Sequence, residues 1–398
     1  MFRKPKKKYK VLIAAFQNSE TCSEIPYLYH KAGCEVHVFC AKESWLLKNS
    51  FWEKWWPLFP ATEELFAKRF FEINREVTYD WVINADDKAL DIINQKAVSD
   101  EDITKFLPLS KPRNKRFLCS KAGLSILCAE NNILTPTFKI INNIEQLKNS
   151  VEEISFPALI KINKSSGGNG VYFCKNKHET FKVWKQISPD KKENLVLQQY
   201  IQGQNIAVEA LFHSGRLLAY ASAEVLQTTG GEFEPSMVRL YGKFKSLEGI
   251  IHKLGENFGI HGFANITFML DRLSGKYFLI ESDLRPQAWL RTARICQVDF
   301  SAGILNFLQQ SANKPVNLIV PLSTGNMLAR NFSRELAYYI RHKNYWGMLK
   351  WVFNIQNRWF FVPWYDLRLL AASIKTLLVY FGTQTFLWKK FKHIIVTR

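Results

Sequence analysis

The sequence predicts a mixed α/β and α+β chain with a helical C-terminal region, on three observations. From Lys10 to Asp87 short apolar runs alternate with helical spacing, as in a parallel sheet whose strands are joined by helices. From Phe156 to Asp283 runs of β-branched and aromatic residues are joined by tight glycine turns, as in antiparallel hairpins. Beyond about Pro315 the chain turns basic and rich in tryptophan. With 398 residues, 47% of them hydrophobic, it can bury two or three cores and is too apolar to be disordered.

The elements follow in order. "KVLIAAF", "SEIPYLYHKAG" and "CEVHVFC" read as strand, helix and strand, with Gly33 closing the helix. "YDWVINADDKALDII" gives a strand ending at Asp86 and Asp87, which either cap the next helix or face a ligand crevice; capping is the commoner use. Asn114 to Leu134 has helical spacing throughout, and "TPTF" then enters a strand; a domain boundary is expected near Pro112. "FPALIKIN" and "GVYFCKN" are two strands joined by a glycine-rich loop. Strands over Glu193–Gln227, a helix over Leu247–Gly259 and a hairpin ending at Glu281 and Asp283 complete the middle.

Composition narrows the function classes. A net charge of +19 calls for an anionic partner: nucleotide, nucleic acid or acidic lipid. No base-reading module is recognisable, so nucleic acid ranks last. Seven scattered cysteines, without CxxC or a Cys/His cluster, read as reduced packing residues of a cytoplasmic protein. "VLIAAF" is too short for a signal-peptide core, and no uninterrupted apolar run reaches the roughly 18 residues of a spanning helix.

Two stretches carry chemistry. "KINKSSGGNG", Lys161 to Gly170, gathers a lysine, two serines and three glycines without the order of a Walker loop. It joins two strands instead of opening a helix, so its backbone amides can fold over an anion as a hairpin lid. Glu281 and Asp283 alternate on one face of a strand, and Arg285 follows. Two carboxylates without nearby His or Cys suit Mg²⁺ completed by substrate phosphates; the plainer reading is the solvent face of an edge strand with a surface ion pair.

The order of these pieces resembles the ATP-grasp superfamily over about residues 115–290, and the α/β segment before it looks like the Rossmann-like domain that precedes that fold. The resemblance implies a Rossmann-like domain over 1–112, an ATP-grasp domain over 113–315 with its lid at about 130–197, and a helical region over 316–398. It implies ATP with Mg²⁺ or Mn²⁺. Lys121 and Lys161 match the two phosphate-binding lysines, and Ser165, Ser166, Gly167, Gly168 and Gly170 match the lid. Gln198, Gln199, Tyr200 and Ile201 match the adenine hinge, with Gln198 in place of the usual acid; Asn205 falls where many members bind ribose through a glutamate. The late hairpin is similar to that of the carbamoyl-phosphate synthetase large subunit, so Thr267, Glu281 and Asp283 take the metal positions, Thr267 being a weak ligand. Arg285 and Lys161 would neutralise the transferring phosphoryl group.

The implied activity is that of a carboxylate-amine ligase working on small molecules through an acyl phosphate. The resemblance leaves open a phosphotransferase, and the non-acidic residues at 198, 205 and 267 leave open a nucleotide-binding protein without turnover. In the polar loop "LQTTGGEFEPSMVRL", Arg239 could bind a substrate carboxylate or be a surface arginine after a turn; His213 and His261 read as ordinary turn residues. Trp346, Trp351, Trp359, Trp364 and Trp388 suit either helices lying peripherally in a membrane interface or a subdomain docked on the core.

Overall fold

The computed structural model describes residues 8–165, 167–244, 246–310, 317–321, 327–353 and 361–379; Ser166, Trp359 and Trp388 lie outside them. Strands β1 (Lys10–Ala14), β2 (Glu35–Cys40), β3 (Lys54–Pro57) and β4 (Trp81–Asn84) form a parallel sheet in the order β3-β2-β1-β4. Helices α1 (Ile25–Lys31), α2 (Glu63–Glu76), α3 (Asp87–Lys96) and α4 (Asp100–Phe106) complete this part. Both faces of β1 are covered, which is why it reads as a continuous apolar run.

The helix expected over Asn114–Leu134 is shorter than its spacing suggests. A 3₁₀ turn over Pro112–Phe117 is followed by a break in which Cys119 takes φ 55°, and α5 (Lys121–Glu130) begins only there. Polar chemistry sets the break: the Ser120 hydroxyl accepts from Gly123 N–H (3.0 Å), while Asn163 Oδ1 accepts from the Ser120 hydroxyl (2.9 Å) and Ala122 N–H (3.0 Å). Lys121 is thereby the first residue of a helix whose N-terminus is clamped by the loop that follows Lys161.

Strand β5 (Phe138–Ile141), helix α6 (Ile144–Glu153), strands β6 (Ala158–Lys161) and β7 (Val171–Cys174), helix α7 (Lys177–Gln186) and strand β8 (Leu195–Gln199) follow. Their antiparallel sheet runs β5-β8-β6-β7 and encloses its own apolar core around Leu147, Ile160, Trp184 and Leu197.

A six-stranded antiparallel sheet is built from β9 (Gly203–His213), β10 (Arg216–Thr228), β11 (Ser236–Tyr241), β12 (Gly262–Asp271), β13 (Tyr277–Asp283) and β14 (Met327–Arg330). Its order is β13-β12-β9-β10-β11-β14, with α8 (Leu247–Phe258) and α9 (Phe300–Leu308) packed on it. This sheet shares two apolar cores with the parallel sheet, one containing Phe39, Phe66 and Phe212, the other Ile13, Tyr29 and Leu211. The smaller sheet is therefore a separate body set over a continuous base.

The C-terminal region docks on this base. β14 pairs along β11, and helices α10 (Phe332–Arg341) and α11 (Tyr345–Phe353) pack together, with Trp351 buried and its indole N–H donating to Glu335. Asp366, in the "WYDLRLL" stretch, accepts from Ser50 N–H (2.6 Å) and hydroxyl (2.8 Å) and caps a helix over 367–379. Tyr365 stacks on Tyr27 with centroids 3.8 Å apart, and its hydroxyl donates to Glu24. Trp346 and Trp364 remain exposed; among the described residues no helix is long and apolar enough to cross a membrane.

Candidate active site

A cleft of about 690 Å³ opens between the four-stranded sheet and one face of the six-stranded sheet, with the β1–α1 loop and α10 at one end. Lys161, the last residue of β6, is 7% exposed, and its ammonium makes no hydrogen bond or ion pair among the described residues. Burial pushes its ammonium down to about 8, against the pull of Glu281. Lys121, also lowered by burial, donates to the carbonyl and hydroxyl of Ser165, so the helix-terminal lysine is tied to the hairpin. Gly167 and Gly168 line the cleft, whereas Gly170 lies behind it, its carbonyl accepting from Ile162 N–H (2.8 Å). Gly168, at φ +79°, presses on the loop opposite: a Cβ there would lie 2.2 Å from the Phe233 carbonyl oxygen.

The opposite wall follows from strand register. Thr267 of β12 pairs with Ala207 of β9 and Glu281 of β13, and two residues earlier Asn265 pairs with Glu209 and Asp283. Side chains two apart share a face, so these rungs line the cleft together. The Glu281 carboxylate takes no hydrogen bond or ion pair among the described residues. The Asp283 carboxyl is pushed up to about 8, by burial first and by Glu281 second. Two neighbouring carboxylates, one of which raises the other, with a hydroxyl alongside, fit a hard cation. No group of three His, Cys, Asp or Glu side chains converges among the described residues, so water and phosphate oxygens would complete its shell.

Arg285 is neither a free cation nor part of a surface ion pair. Its guanidinium holds both oxygens of Asp87, the Nη2 contact being 2.7 Å, and lies 3.6 Å from Asp283. These acids raise its pKa, and only Nη1, buried without a partner, remains for a ligand. Both acids after β4 line the cleft; Asp86 is also the helix cap, accepting from Ala89 N–H (2.8 Å), while Asp87 holds Arg285.

At the other end of the smaller sheet Gln198 is 2% exposed, and its Oε1 is buried without a partner. Gln199 and Tyr200 direct their N–H groups to Thr137 and Pro157 carbonyls, so backbone donors toward a ligand come from Ile201 onward. The Tyr200 hydroxyl donates to Glu232 (2.6 Å). Asn205 lines the cleft with Oδ1 buried and unpartnered.

Arg239 is a residue of β11, 5% exposed, not a surface arginine after a turn. It pairs with Glu209 (2.5 Å), donates to the Ser236 hydroxyl (2.9 Å) and lies 4.3 Å over the Trp289 ring. His213 and His261 pack against Phe307 away from the cleft, and burial pushes His261 down to about 4. Sequence reasoning missed Asp87 as a partner of Arg285, as well as Asn265, Glu209, Trp289 and Arg334. Glu209 was signalled by a lone acid in the apolar run "IAVEALF", and Asn265 by its two-residue offset from Thr267; the others had no local signal.

Two sheets clasping a cleft beneath a glycine-rich hairpin, behind a parallel α/β sheet, make the ATP-grasp fold. Residues 119–220 match the family model described as a RimK-like ATP-grasp domain. The carbamoyl phosphate synthase large chain of Clostridium botulinum (strain Alaska E43 / Type E3) is 28% identical over 163 residues, 39% of this chain and 15% of that protein. That of Clostridium perfringens (strain SM101 / Type A) is 25% identical over 161 residues, again 39% and 15%. The chain thus spans only a small part of these relatives. Among solved structures, N5-carboxyaminoimidazole synthetase from Staphylococcus aureus, complexed with ADP, superposes with TM-score 0.66 at 12% identity over 87% of this chain and 88% of that one. An L-amino acid ligase from Bacillus licheniformis gives 0.55 at 18% identity over 76% and 75%.

Proposed function

We propose that the chain is an ATP- and Mg²⁺-dependent ligase that joins a carboxylate to an amine through an acyl phosphate, with 1–112 as a Rossmann-like domain, 113–315 as the ATP-grasp domain and 316–398 as a docked C-terminal region. One observation carries this reading. Buried Lys161 and half-buried Lys121 on one wall of the cleft face carboxylates on the other, Glu281 and Asp283, with Lys161 and Glu281 unpaired among the described residues. A triphosphate with its metal matches both walls at once. The names of the relatives, a carbamoyl phosphate synthase and ligases, point the same way.

On this reading Lys161 and Lys121 hold phosphate oxygens, and the Ser165–Gly170 hairpin closes over them. The Gln198 side-chain oxygen accepts from the adenine amine, Ile201 offers its N–H to the ring edge, and Asn205 faces the ribose. Mg²⁺ or Mn²⁺, held by Glu281 and Asp283 beside Thr267, would offset charge on the phosphates. A substrate carboxylate oxygen attacks the γ-phosphorus and ADP leaves; the amine then attacks the acyl carbon and phosphate leaves. Arg285 Nη1 donates to the reacting carboxylate, and the lid keeps water from the acyl phosphate.

The test is ADP release from ATP and Mg²⁺ across pools of carboxylates and amines, with Glu281→Gln and Lys161→Ala as controls. Turnover that needs both a carboxylate and an amine and is lost in both variants is expected. A phosphorylated product without an amine would indicate a phosphotransferase, and tight nucleotide binding with no turnover a binding protein.

A further inference from the structure

The end of the cleft away from the lysines carries a second charged feature. Arg239 from β11 and Arg334 from α10 both reach Ser236: Arg239 through its hydroxyl, Arg334 Nη1 through its carbonyl oxygen at 2.7 Å. Both line the cleft. Arg239 is matched by Glu209, whose Oε1 also accepts from Asn265 (2.9 Å). Arg334 has no ion pair among the described residues. Glu20 of the β1–α1 loop, whose charge favours the Arg334 cation, is solvent-exposed and does not line the cleft. Burial first and the charge of Arg239 second push Arg334 down to about 10, so the two guanidinium groups repel one another. The residues of the β1–α1 loop that line the cleft, Gln17, Ser19 and Thr21, are polar and uncharged. The flat face of Trp289 fixes Arg239 from behind.

We infer that this arginine pair binds an anionic group, a carboxylate or a phosphate, on the substrate that enters opposite the nucleotide. That its bearer is a substrate rests on the ligase reading above; the anion site itself does not. Two planar guanidinium groups around an oxyanion give charge-assisted, geometrically selective hydrogen bonds. The arrangement assigns a role to the C-terminal region: α10 follows β14 onto the sheet edge and supplies Arg334, so the site is incomplete without the chain beyond 316.

The experiment uses the full chain with ADP and Mg²⁺ present, titrated in a calorimeter with inorganic phosphate and separately with glutarate. At least one anion should bind the wild type. Arg334→Ala should weaken that binding at least about ten-fold while leaving ADP affinity in place, and Arg334→Lys should recover part of it. Binding of glutarate alone assigns a carboxylate, and of phosphate alone a phosphate ester. Lys161→Ala should retain anion binding, which separates this site from the nucleotide's own phosphate pocket. Failure of both anions to bind, equal binding by Arg334→Ala and the wild type, or loss in Lys161→Ala but not in Arg334→Ala would overturn the inference. Anion binding that stays sensitive to Arg334 in a protein that does not bind ADP would overturn the ligase reading and leave the anion site standing.

Discussion

The two walls of the cleft carry opposite charge, and each is unfavourable alone. On the smaller sheet Lys161 is buried and its ammonium is held at about 8. On the six-stranded sheet Asp283 sits beside Glu281 and its carboxyl is held at about 8 from the other direction. Charged lysine is disfavoured on one wall and charged aspartate on the other, by the same desolvation. The walls also differ in support: the smaller sheet has a core to itself, whereas the larger shares two cores with the parallel sheet. Charge strain is thus stored across the boundary between a separately packed body and a broad base, where a ligand bearing both signs can relieve it.

The sharpest way to break this comparison is to neutralise the carboxylate that has no partner among the described residues. Glu281→Gln should lower turnover by about 10²–10³-fold, the usual cost of removing one preorganised electrostatic group. It should weaken ADP binding with Mg²⁺ present and leave metal-free binding nearly unchanged, as calorimetry with and without chelator would read. Lys161→Met acts on the other wall and should lower nucleotide affinity by about 10–100-fold, the loss of a charge-assisted contact. The same change should stabilise the free protein. A lysine whose folded pKa is depressed to about 8 from 10.5 destabilises the fold while protonated, fully below pH 8 and not at all above 10.5. Lys161→Met is therefore expected to gain up to about 3 kcal/mol at pH 7, at 1.36 kcal/mol per unit, with the gain fading from pH 8 to 10.5 in urea unfolding. Equal stability of variant and wild type at pH 7 would mean that Lys161 is better solvated than its burial indicates.

What could be read from the sequence divides along the same line. Lys161, the hairpin and the Glu281–Asp283 pair are local: strand alternation and a glycine run fix where they sit relative to their neighbours. The fold class followed from the same periodicities, because parallel and antiparallel sheets demand different patterns of burial. The α5 boundary was not legible, since Asn163, some forty residues onward, ends the helical spacing at Ser120. Nor was the pairing of Arg285 with Asp87, which joins β13 to the end of β4 across 198 positions. Arg334 lies in a stretch without motifs and gains meaning only because β14 brings α10 to the sheet edge. Site residues set by secondary-structure period were readable; those set by which elements meet were not.

The boundary between the walls can be probed where they touch. Gly168→Ala places a methyl against the Phe233 carbonyl in a backbone conformation that favours glycine. The hairpin should lift from the 229–235 loop, raising KM for ATP several-fold, with greater protease sensitivity at 162–170 as the check. Unchanged KM would mean that the two walls need not meet there.

Asp283→Asn should cost less turnover than Glu281→Gln, and it bears most directly on whether the two carboxylates are equivalent. A carboxyl raised from 3.8 to about 8 costs the fold nothing below pH 3.8, where it is protonated folded and unfolded alike, and costs most above pH 8. Wild-type stability should therefore carry a falling component from pH 4 to 8 that Asp283→Asn lacks, visible as a converging pair of unfolding midpoints at the acid end. The asparagine also keeps an oxygen toward Arg285 and the cleft. Turnover should drop only about ten-fold, short of Glu281→Gln, because Glu281 is the carboxylate without a protein partner and Asp283 already shares its charge with Arg285. Equal losses in the two variants would instead mean that the pair acts as one chelate, with Arg285 giving way when the metal arrives.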